Sequence, residues 1–145
     1  MNPDHAWIAA HIPHQGSMCL LEAVQHWSPT EIVCRAHSHR REDNPLRFVG
    51  RLGISAGIEY AAQAMAVHGA LLAAQDAVPC VGFLTSVRDV RWLRSRLDDV
   101  ATDLTVRAER FSGNAVSLLY QFSVLAADAV LLSGRASVLL QAPEA

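Results

Sequence analysis

The feature that most constrains the fold of this chain is a stretch from Ser55 to about Gln75 that is apolar on nearly every side. Alanine, leucine, isoleucine and methionine dominate it, and this composition favours a helix. Ser55 is a suitable N-cap for that helix. A helix without a polar face belongs in a protein interior. The rest of the chain is therefore expected to surround it.

One carboxylate interrupts this apolar helix. Glu59 lies about one turn from its start and is the only acidic residue between Asp43 and Asp76. A buried carboxylate without a partner is costly, or it shifts toward its protonated form. One interpretation is a solvent-facing side chain that interacts favourably with the helix dipole. The other is a general acid or base, with Gln63 one turn further on to orient the carboxylate or a substrate.

The segments on both sides of the helix have the patterns of strands, apart from a short helix predicted over 3–10 with Asn2 as its cap and Pro3 at its first position. Turn signals separate the later strands at hairpin spacing, which predicts a four-strand antiparallel meander. One sheet and one helix bury each other only if the sheet curls. The predicted fold class is α+β, a curved antiparallel sheet wrapped around one central helix, with residues 1–145 as a single domain. The predicted strands are 18–27, 30–39, 81–92, 101–111, 115–126 and 130–140.

Composition limits the functions that are open to the chain. Of its 145 residues 51% are hydrophobic and 18% charged, and the net charge of −2 favours neither nucleic acid nor an anionic membrane as a partner. Cys19, Cys34 and Cys80 are an odd number without a CxxC pair, which argues against a disulfide framework or a zinc site. There is no signal peptide and no transmembrane stretch, so a cytoplasmic location is expected.

Histidines are the natural partners of a catalytic carboxylate. His68 is excluded because nine residues place it on the opposite side of the helix from Glu59, and a packed, hydrogen-bonded role is expected for it. His37 and His39 would share one face of the 30–39 strand with Arg35, directly before a long loop over 40–53. Each is equally compatible with an ordinary surface position. An HxH pair alone is a weak metal signal, so no metal and no cofactor are expected.

A local basic stretch after the helix allows two interpretations. It is either a solvated strand edge or a docking surface for an acidic carrier protein or phosphate. The group consists of Arg88, Arg91, Arg94 and Arg96, with Asp89 among them and Asp98 two residues after the last.

Several motifs resemble those of the β-hydroxyacyl-ACP dehydratases. Ile12-Pro13-His14 with the apolar 19–24 segment is similar to the opening of that family, and Ile58 to Ala64 is similar to its central-helix motif. The agreement in the order of elements covers about residues 8–140. A longer likeness, to the dehydratase-like branch of aryl polyene pigment clusters, lies in the three segments 44–47, 50–52 and 57–70. The resemblance implies the hotdog fold, usually paired as a dimer.

The resemblance also implies an activity, the dehydration of 3-hydroxyacyl thioesters on an acyl carrier protein to 2-enoyl thioesters. The family glutamate corresponds to Glu59. The family histidine, in Gly-His-Phe-Pro about fourteen residues earlier, has no counterpart, because Asn44-Pro45 stands there. His39 is then the first choice as its catalytic replacement and His37 the second. Substrate-binding roles are expected for His37, Gly53 (through its backbone N–H), Gly57 and Gln63.

Two other functions remain open at this point. A helix glutamate also serves as the base for water in hotdog thioesterases. A non-catalytic subunit that binds an acyl chain beside an active hotdog partner is the second alternative, since the family histidine motif is missing. The expected partners are an acyl carrier protein and either a second copy of the chain or another hotdog subunit.

Overall fold

The computed structural model describes residues 2–76, 81–114 and 116–141. Two α-helices, two short 3₁₀ helices (Gly16–Met18 and Ser38–Arg40) and six β-strands make up the regular structure of these residues. The predicted break at Val78-Pro79, the thiol of Cys80 and the predicted strand start at Ala115 lie outside the described residues. In chain order the elements are α1 (His5–His11), β1 (Ala23–Trp27), β2 (Glu31–Ala36), α2 (Ala56–Asp76), β3 (Val81–Trp92), β4 (Leu104–Gly113), β5 (Ser117–Ala126) and β6 (Ala129–Gln141).

The six strands form one antiparallel sheet in the order β1-β2-β4-β5-β6-β3. Helix α2 packs against β2, β3, β4 and β5. Its apolar side chains are buried because the sheet curves around them, with Tyr60, Ala64 and Val67 fully inaccessible to solvent. This arrangement confirms the predicted α+β class and is that of the hotdog fold. In the described ranges neither helix is long and apolar enough to span a bilayer.

The N-terminal helix differs from its prediction. It begins at His5, and the cap is Asp4, whose carboxylate accepts a hydrogen bond of 3.0 Å from the Trp7 N–H. Pro3 lies outside the helix because its carbonyl accepts a hydrogen bond from the Val24 N–H of β1 at 2.9 Å. The prediction of Asn2 as the cap is therefore wrong.

The predicted strand over 30–39 ends early, at Ala36. His37 has φ −135° and ψ 3°, and a 3₁₀ turn begins at Ser38. Period-two alternation stops where the backbone leaves the extended conformation. Arg35, His37 and His39 therefore do not share a strand face, contrary to the prediction, and His39 turns into the interior with no exposed surface.

The four later strands exist, but the order of one differs from the predicted meander. Strands β4, β5 and β6 pair in sequence, whereas β3 pairs with β6 at the far edge. The connection over 93–103 pairs with the segment before α2 instead of forming a hairpin, since Ile54 N–H donates to Ser95 O and Leu97 N–H donates to Leu52 O. The turn at Ala127 and Asp128, both with positive φ, is the short hairpin predicted there.

Candidate active site

Glu59 is paired with a histidine that sequence reasoning did not select. The Nε2 atom of His14 lies 2.9 Å from Oε1 of Glu59, and both side chains are partly exposed, at 24% and 33%. Both line the same cavity. An imidazole and a carboxyl group in hydrogen-bond contact at a cavity wall can form an acid–base pair, because both groups serve as general acids and bases in enzymes.

The chain after α1 is held against α2 by one buried amide. Gln63 is fully buried, its Oε1 accepts a hydrogen bond of 2.9 Å from Leu20 N–H, and its Nε2 donates to Met18 O at 2.7 Å. The same Nε2 lies 3.3 Å from Oε1 of Glu59. Gln63 therefore orients the carboxylate and fixes the segment that carries His14. The i, i+4 spacing on the helix predicts the contact of Gln63 with Glu59. Nothing in the sequence predicts the contacts of Gln63 with the backbone of Met18 and Leu20.

The second ring nitrogen of His14 has no hydrogen-bond partner among the described residues. Nδ1 is buried within the protein, while Nε2 faces the carboxyl group. The His14–Glu59 contact needs one proton, carried either by the imidazole or by the carboxyl group. The pair is thus joined by one hydrogen bond, and beside it lies a ring nitrogen that no protein group in the described ranges satisfies.

The cavity that begins at this pair runs between α2 and the sheet, with a volume of about 600 Å³. Small side chains on the helix (Ala62, Ala66, Gly69) leave the space, and apolar side chains of the sheet close it on the other side. A cavity of this size and polarity is typical of a site for a small, mostly apolar ligand.

His39 does not reach Glu59 within this chain. Its Nε2 lies 3.1 Å from Val100 O and 3.0 Å from Thr102 O, so it carries a proton and donates to these carbonyls. Burial lowers the pKa of the ring, and Nδ1 has no partner in the described part of the chain. The expected pairing of His39 with Glu59 is not the one that the structure contains, since the 3₁₀ turn directs His39 to the loop before β4.

The other residues expected to bind substrate lie in varied surroundings. His37 contacts a surface carboxylate, with Nε2 3.0 Å from Oε2 of Glu22. Gly53 precedes α2 and its carbonyl accepts a hydrogen bond from Ala56 N–H. Gly57 is buried against the sheet, where an added Cβ would lie 2.6 Å from Cδ2 of Leu132, so close packing explains its lack of a side chain.

His68 is packed and hydrogen-bonded, as expected from its position on α2. Nε2 lies 2.8 Å from Ser28 O and Nδ1 lies 2.7 Å from the Tyr120 hydroxyl. Burial lowers the pKa of this ring as well. Because Nε2 must donate to the carbonyl of Ser28, Nδ1 is the acceptor and the Tyr120 hydroxyl is the donor.

A buried polar network anchors the loop over 40–53. The Tyr60 hydroxyl lies 2.7 Å from Ser38 Oγ and accepts a hydrogen bond of 3.1 Å from Asn44 Nδ2. Asn44 also donates to the carbonyl of Ser38 at 3.0 Å. Burial raises the pKa of Tyr60, so the phenol stays protonated at neutral pH. The network explains why this long loop leaves the end of β2 in a fixed direction.

The arginine group around β3 divides into two parts. Arg94 and Arg96 are in salt bridges with Asp99 and Asp98, and Asp98 also accepts a hydrogen bond from the Leu52 N–H. They therefore hold the connection after β3 in place. The side chains of Arg88 and Arg91 are exposed on β3. Among the described His, Cys, Asp and Glu side chains, no group of three or more is arranged to hold a metal ion.

The fold and the acid–base pair at the cavity define a hotdog protein with a histidine–glutamate site. The model of the ApeP-like family, described as ApeP dehydratase, matches residues 6–144. This chain belongs to the ApeP-like dehydratase family.

Solved structures with the same fold include both dehydratases and thioesterases. The dehydratase heterocomplex ApeI:P from Xenorhabdus doucetiae is similar with a TM-score of 0.81 and 21% identity, over 94% of this chain and 91% of that one. A mutant of thioesterase PA1618 from Pseudomonas aeruginosa is similar with a TM-score of 0.70 and 12% identity, over 97% of this chain and 96% of that one. Thioesterase HI1161 from Haemophilus influenzae is similar with a TM-score of 0.68 and 10% identity, over 98% of this chain and 93% of that one. None of the curated proteins matches the chain.

Proposed function

We propose that this chain dehydrates 3-hydroxyacyl thioesters carried by an acyl carrier protein to the 2-enoyl thioesters, with His14 and Glu59 as the catalytic pair. The observation that carries the proposal is the contact of 2.9 Å between the two side chains at the wall of an apolar cavity. Membership in a dehydratase family supports the reaction class. His14 takes the role that the sequence assigned to His39.

The proposed reaction moves two protons and releases one water. The imidazole of His14 removes a proton from C2 of the acyl chain, and the carboxylic acid of Glu59 gives a proton to the hydroxyl group on C3. The C3–O bond breaks, water leaves, and the electron pair from the C2–H bond forms the C2=C3 double bond. The imidazolium and carboxylate that result are in direct contact, so one proton transfer between them restores the starting state.

Orientation of the pair depends on the groups around it. Gln63 restricts the Glu59 carboxyl through its amide, at 3.3 Å. Because Gln63 is also bonded to the backbone at Met18 and Leu20, it ties the segment that follows His14 to the helix bearing Glu59. A pair held in this way needs little reorganisation during the reaction.

The carrier protein and a second hotdog subunit are the proposed partners. The exposed side chains of Arg88 and Arg91, for which no salt bridge is found within the described ranges, suit an acidic carrier surface. One edge of β3 has no paired strand among the described residues, which suits a second subunit. The structurally similar ApeI:P assembly is a heterocomplex. That second subunit is proposed to be another hotdog protein or a second copy of this chain.

The test compares single variants on a 3-hydroxyacyl-carrier substrate, with the protein alone and with its hotdog partner. We expect His14→Ala and Glu59→Gln each to lower kcat by at least about 100-fold. His37→Ala is the matched control, since that histidine also contacts a carboxylate but lies outside the cavity, and it should keep near-normal activity. Activity of the His39→Asn variant on the same substrate distinguishes the two candidate histidines, because the proposal expects this variant to stay active while His14→Ala does not.

Product analysis separates the possible reactions. Mass spectrometry of the acyl-carrier product shows loss of water for a dehydratase and free acid for a thioesterase. Full activity of both His14→Ala and Glu59→Gln, or release of free acid by the unmodified protein, would overturn the proposal. So would a folded His39→Asn variant that is inactive beside an active His14→Ala.

A further inference from the structure

The turn over 48–51, in the loop before α2, carries two of the most exposed apolar side chains among the described residues. Phe48 is 81% and Val49 is 83% accessible to solvent. Two backbone hydrogen bonds close the turn, from Phe48 N–H to Arg51 O at 2.8 Å and from Arg51 N–H to Phe48 O at 3.0 Å. A Cβ added at Gly50 would meet no atom within 4 Å, so the tip of the turn extends into open space.

The backbone conformation at Val49 is unfavourable for its residue type. The φ of 52° at Val49 and of 74° at Gly50 fit a type I′ turn, whose first central position favours asparagine, aspartate or glycine. A β-branched residue at positive φ is a genuine outlier and costs stability. Since Val49 is almost fully exposed, packing within the domain does not explain an apolar side chain there. The combination of strain and exposure indicates a role outside the domain itself.

The turn is held in a fixed position on the domain. Arg47 donates from Nη1 to Gly50 O at 3.1 Å and from Nη2 to His39 O at 3.0 Å. On the other side of the turn, Leu52 N–H donates to Oδ1 of Asp98 at 2.9 Å. The two apolar side chains are therefore presented in a defined orientation, which lowers the entropy cost of binding through them.

The charge around the tip is positive. Arg47 and Arg51 are the only charged residues over 44–53. Arg51 is exposed, and its guanidinium makes no hydrogen bond or salt bridge within the described ranges. The acid bonded to this segment, Asp98, is itself paired with Arg96. The net charge of −2 for the whole chain does not indicate an anionic membrane, but it conceals this local excess of positive charge.

Exposed apolar side chains mark either a protein interface or a membrane surface. A stable protein interface buries roughly 800 Å² on each partner, which two protruding side chains do not supply. A bilayer surface needs no matching shape, because apolar side chains enter the boundary between headgroups and acyl chains while basic ones contact anionic headgroups. The size, shape and charge of the tip therefore favour a lipid surface.

We propose that the turn over 48–51 docks the protein on an anionic lipid bilayer, with Phe48 and Val49 inserted at the headgroup level and Arg51 beside a lipid phosphate. None of these residues lines the cavity of the His14–Glu59 pair, so the inference goes beyond the proposed function and does not depend on it. The binding is weak and reversible, since few side chains take part.

Cosedimentation with vesicles tests the proposal, using the protein alone and with its hotdog partner. Vesicles of phosphatidylglycerol and phosphatidylethanolamine are compared with vesicles of phosphatidylcholine. We expect binding to the anionic vesicles to be about 5-fold to 20-fold tighter, with a difference that shrinks as salt is raised. Val49→Asn should weaken binding to the anionic vesicles by about 5-fold or more. Its melting temperature should stay equal or rise, because asparagine suits a positive φ.

Two further variants separate charge from apolar contact. Arg51→Gln should lose most of the preference for anionic vesicles and keep the weaker binding to phosphatidylcholine. Val116→Asn is the matched control, since Val116 is 59% exposed on the β4–β5 turn, at the opposite end of β4 from the loop over 40–53. This control should bind vesicles as the unmodified protein does.

The measurement involves no turnover, so a failure of the proposed function leaves it unaffected. No binding of the unmodified protein to vesicles, or equal binding to both kinds, would overturn the inference. So would a Val49→Asn variant that binds as tightly as the unmodified protein. If hydrogen exchange shows that a second hotdog subunit protects residues 48–51 without lipid, the turn belongs to a protein interface and the inference is wrong.

Discussion

Two histidines that the proposed reaction does not use, His39 and His68, are buried in their neutral forms. Each donates from Nε2 to backbone carbonyls, and burial lowers the pKa of both rings below their ordinary value of 6.5. A proton added to His68 would remove the acceptor of the Tyr120 hydroxyl, and one added to His39 would lie on a nitrogen without an acceptor in the described ranges. Their protonation therefore opposes the folded state.

The consequence is a loss of stability in mild acid. Below pH 6.5 the unfolded chain binds protons at these two rings that the folded chain does not, so the free energy of unfolding falls as pH decreases. The stability that comes from burying the two neutral rings is fully present above pH 6.5. We expect urea unfolding at pH 5.0 to show a lower free energy than at pH 7.5. In the His68→Gln variant, which lacks one of the two groups, the free energy of unfolding should depend less steeply on pH. An unchanged dependence in that variant would contradict the assignment.

The two histidines that share the His-x-His spacing should differ sharply in stability effects. His39→Ala leaves the carbonyls of Val100 and Thr102 without their donor, at a cost of about 2–3 kcal/mol in the free energy of unfolding. His37→Ala removes an exposed contact to Glu22, worth less than about 1 kcal/mol. Chemical denaturation of both variants at pH 7.5 measures the difference. Equal losses would mean that the burial of His39 has no energetic consequence.

At the scale of residues, the sequence singles out the carboxylate of the candidate pair but not the histidine that lies beside it. Glu59 stands out because a lone acid in an apolar helix is conspicuous. His14 is part of Ile12-Pro13-His14, which shows that a helix ends but not that Gln63 fixes the following segment against α2. The prediction for His39 assumes that strand alternation continues to residue 39, three residues beyond the end of β2. Nothing local in the sequence indicates where that strand stops.

Among the elements, α2 carries two glycines, Gly57 and Gly69, whose surroundings differ. Near its start Gly57 allows close contact with the sheet, where Leu132 and Val124 lie within van der Waals distance of the missing Cβ. Further along, Gly69 has no atom within 4 Å of that position and lines the cavity. The first glycine is needed for packing, whereas the second leaves space for a ligand.

The same substitution should therefore have opposite signs at the two glycines. Gly57→Ala places a methyl group 2.6 Å from Cδ2 of the buried Leu132 and should destabilise the protein by about 1–2 kcal/mol. Gly69→Ala should stabilise it by about 0.5–1 kcal/mol, because a helical glycine is replaced in open space. Thermal unfolding of both variants measures the effect. A stabilised Gly57→Ala would show that the contact with Leu132 relaxes at no cost.

Strand pairing shows how far local patterns extend at the scale of elements. The turn at Ala127-Asp128 is set by two residues, and the β5–β6 hairpin was predicted from them. The position of β3 depends instead on Ile54–Ser95 and Leu52–Leu97 backbone hydrogen bonds between segments far apart in sequence. Hairpin spacing alone does not contain that information, so the predicted meander places β3 beside β4, whereas its partner is β6.

For the molecule as a whole, the edge strand β3 is the feature that points beyond a single chain. The sheet order puts β3 at one end, with its outer edge unpaired among the described residues. Phe83 and Leu84 on this strand are 50% and 42% exposed and also line the cavity. A long edge strand with exposed apolar side chains favours pairing with another strand. The proposed second subunit would cover this edge and close the cavity beside it.

Disruption of this edge should separate the subunits and impair the reaction together. We expect Phe83→Lys with Leu84→Lys to convert the proposed dimer, or the proposed complex with a second hotdog subunit, into single chains in sedimentation velocity. Val130→Lys is the control, because Val130 is 40% exposed but lies on β6, an interior strand. Since the cavity walls include Phe83 and Leu84, dehydration should fall with the loss of assembly. A doubly substituted protein that still sediments as the assembled form would show that the subunits meet elsewhere, and that the exposed apolar side chains of β3 serve the acyl chain alone.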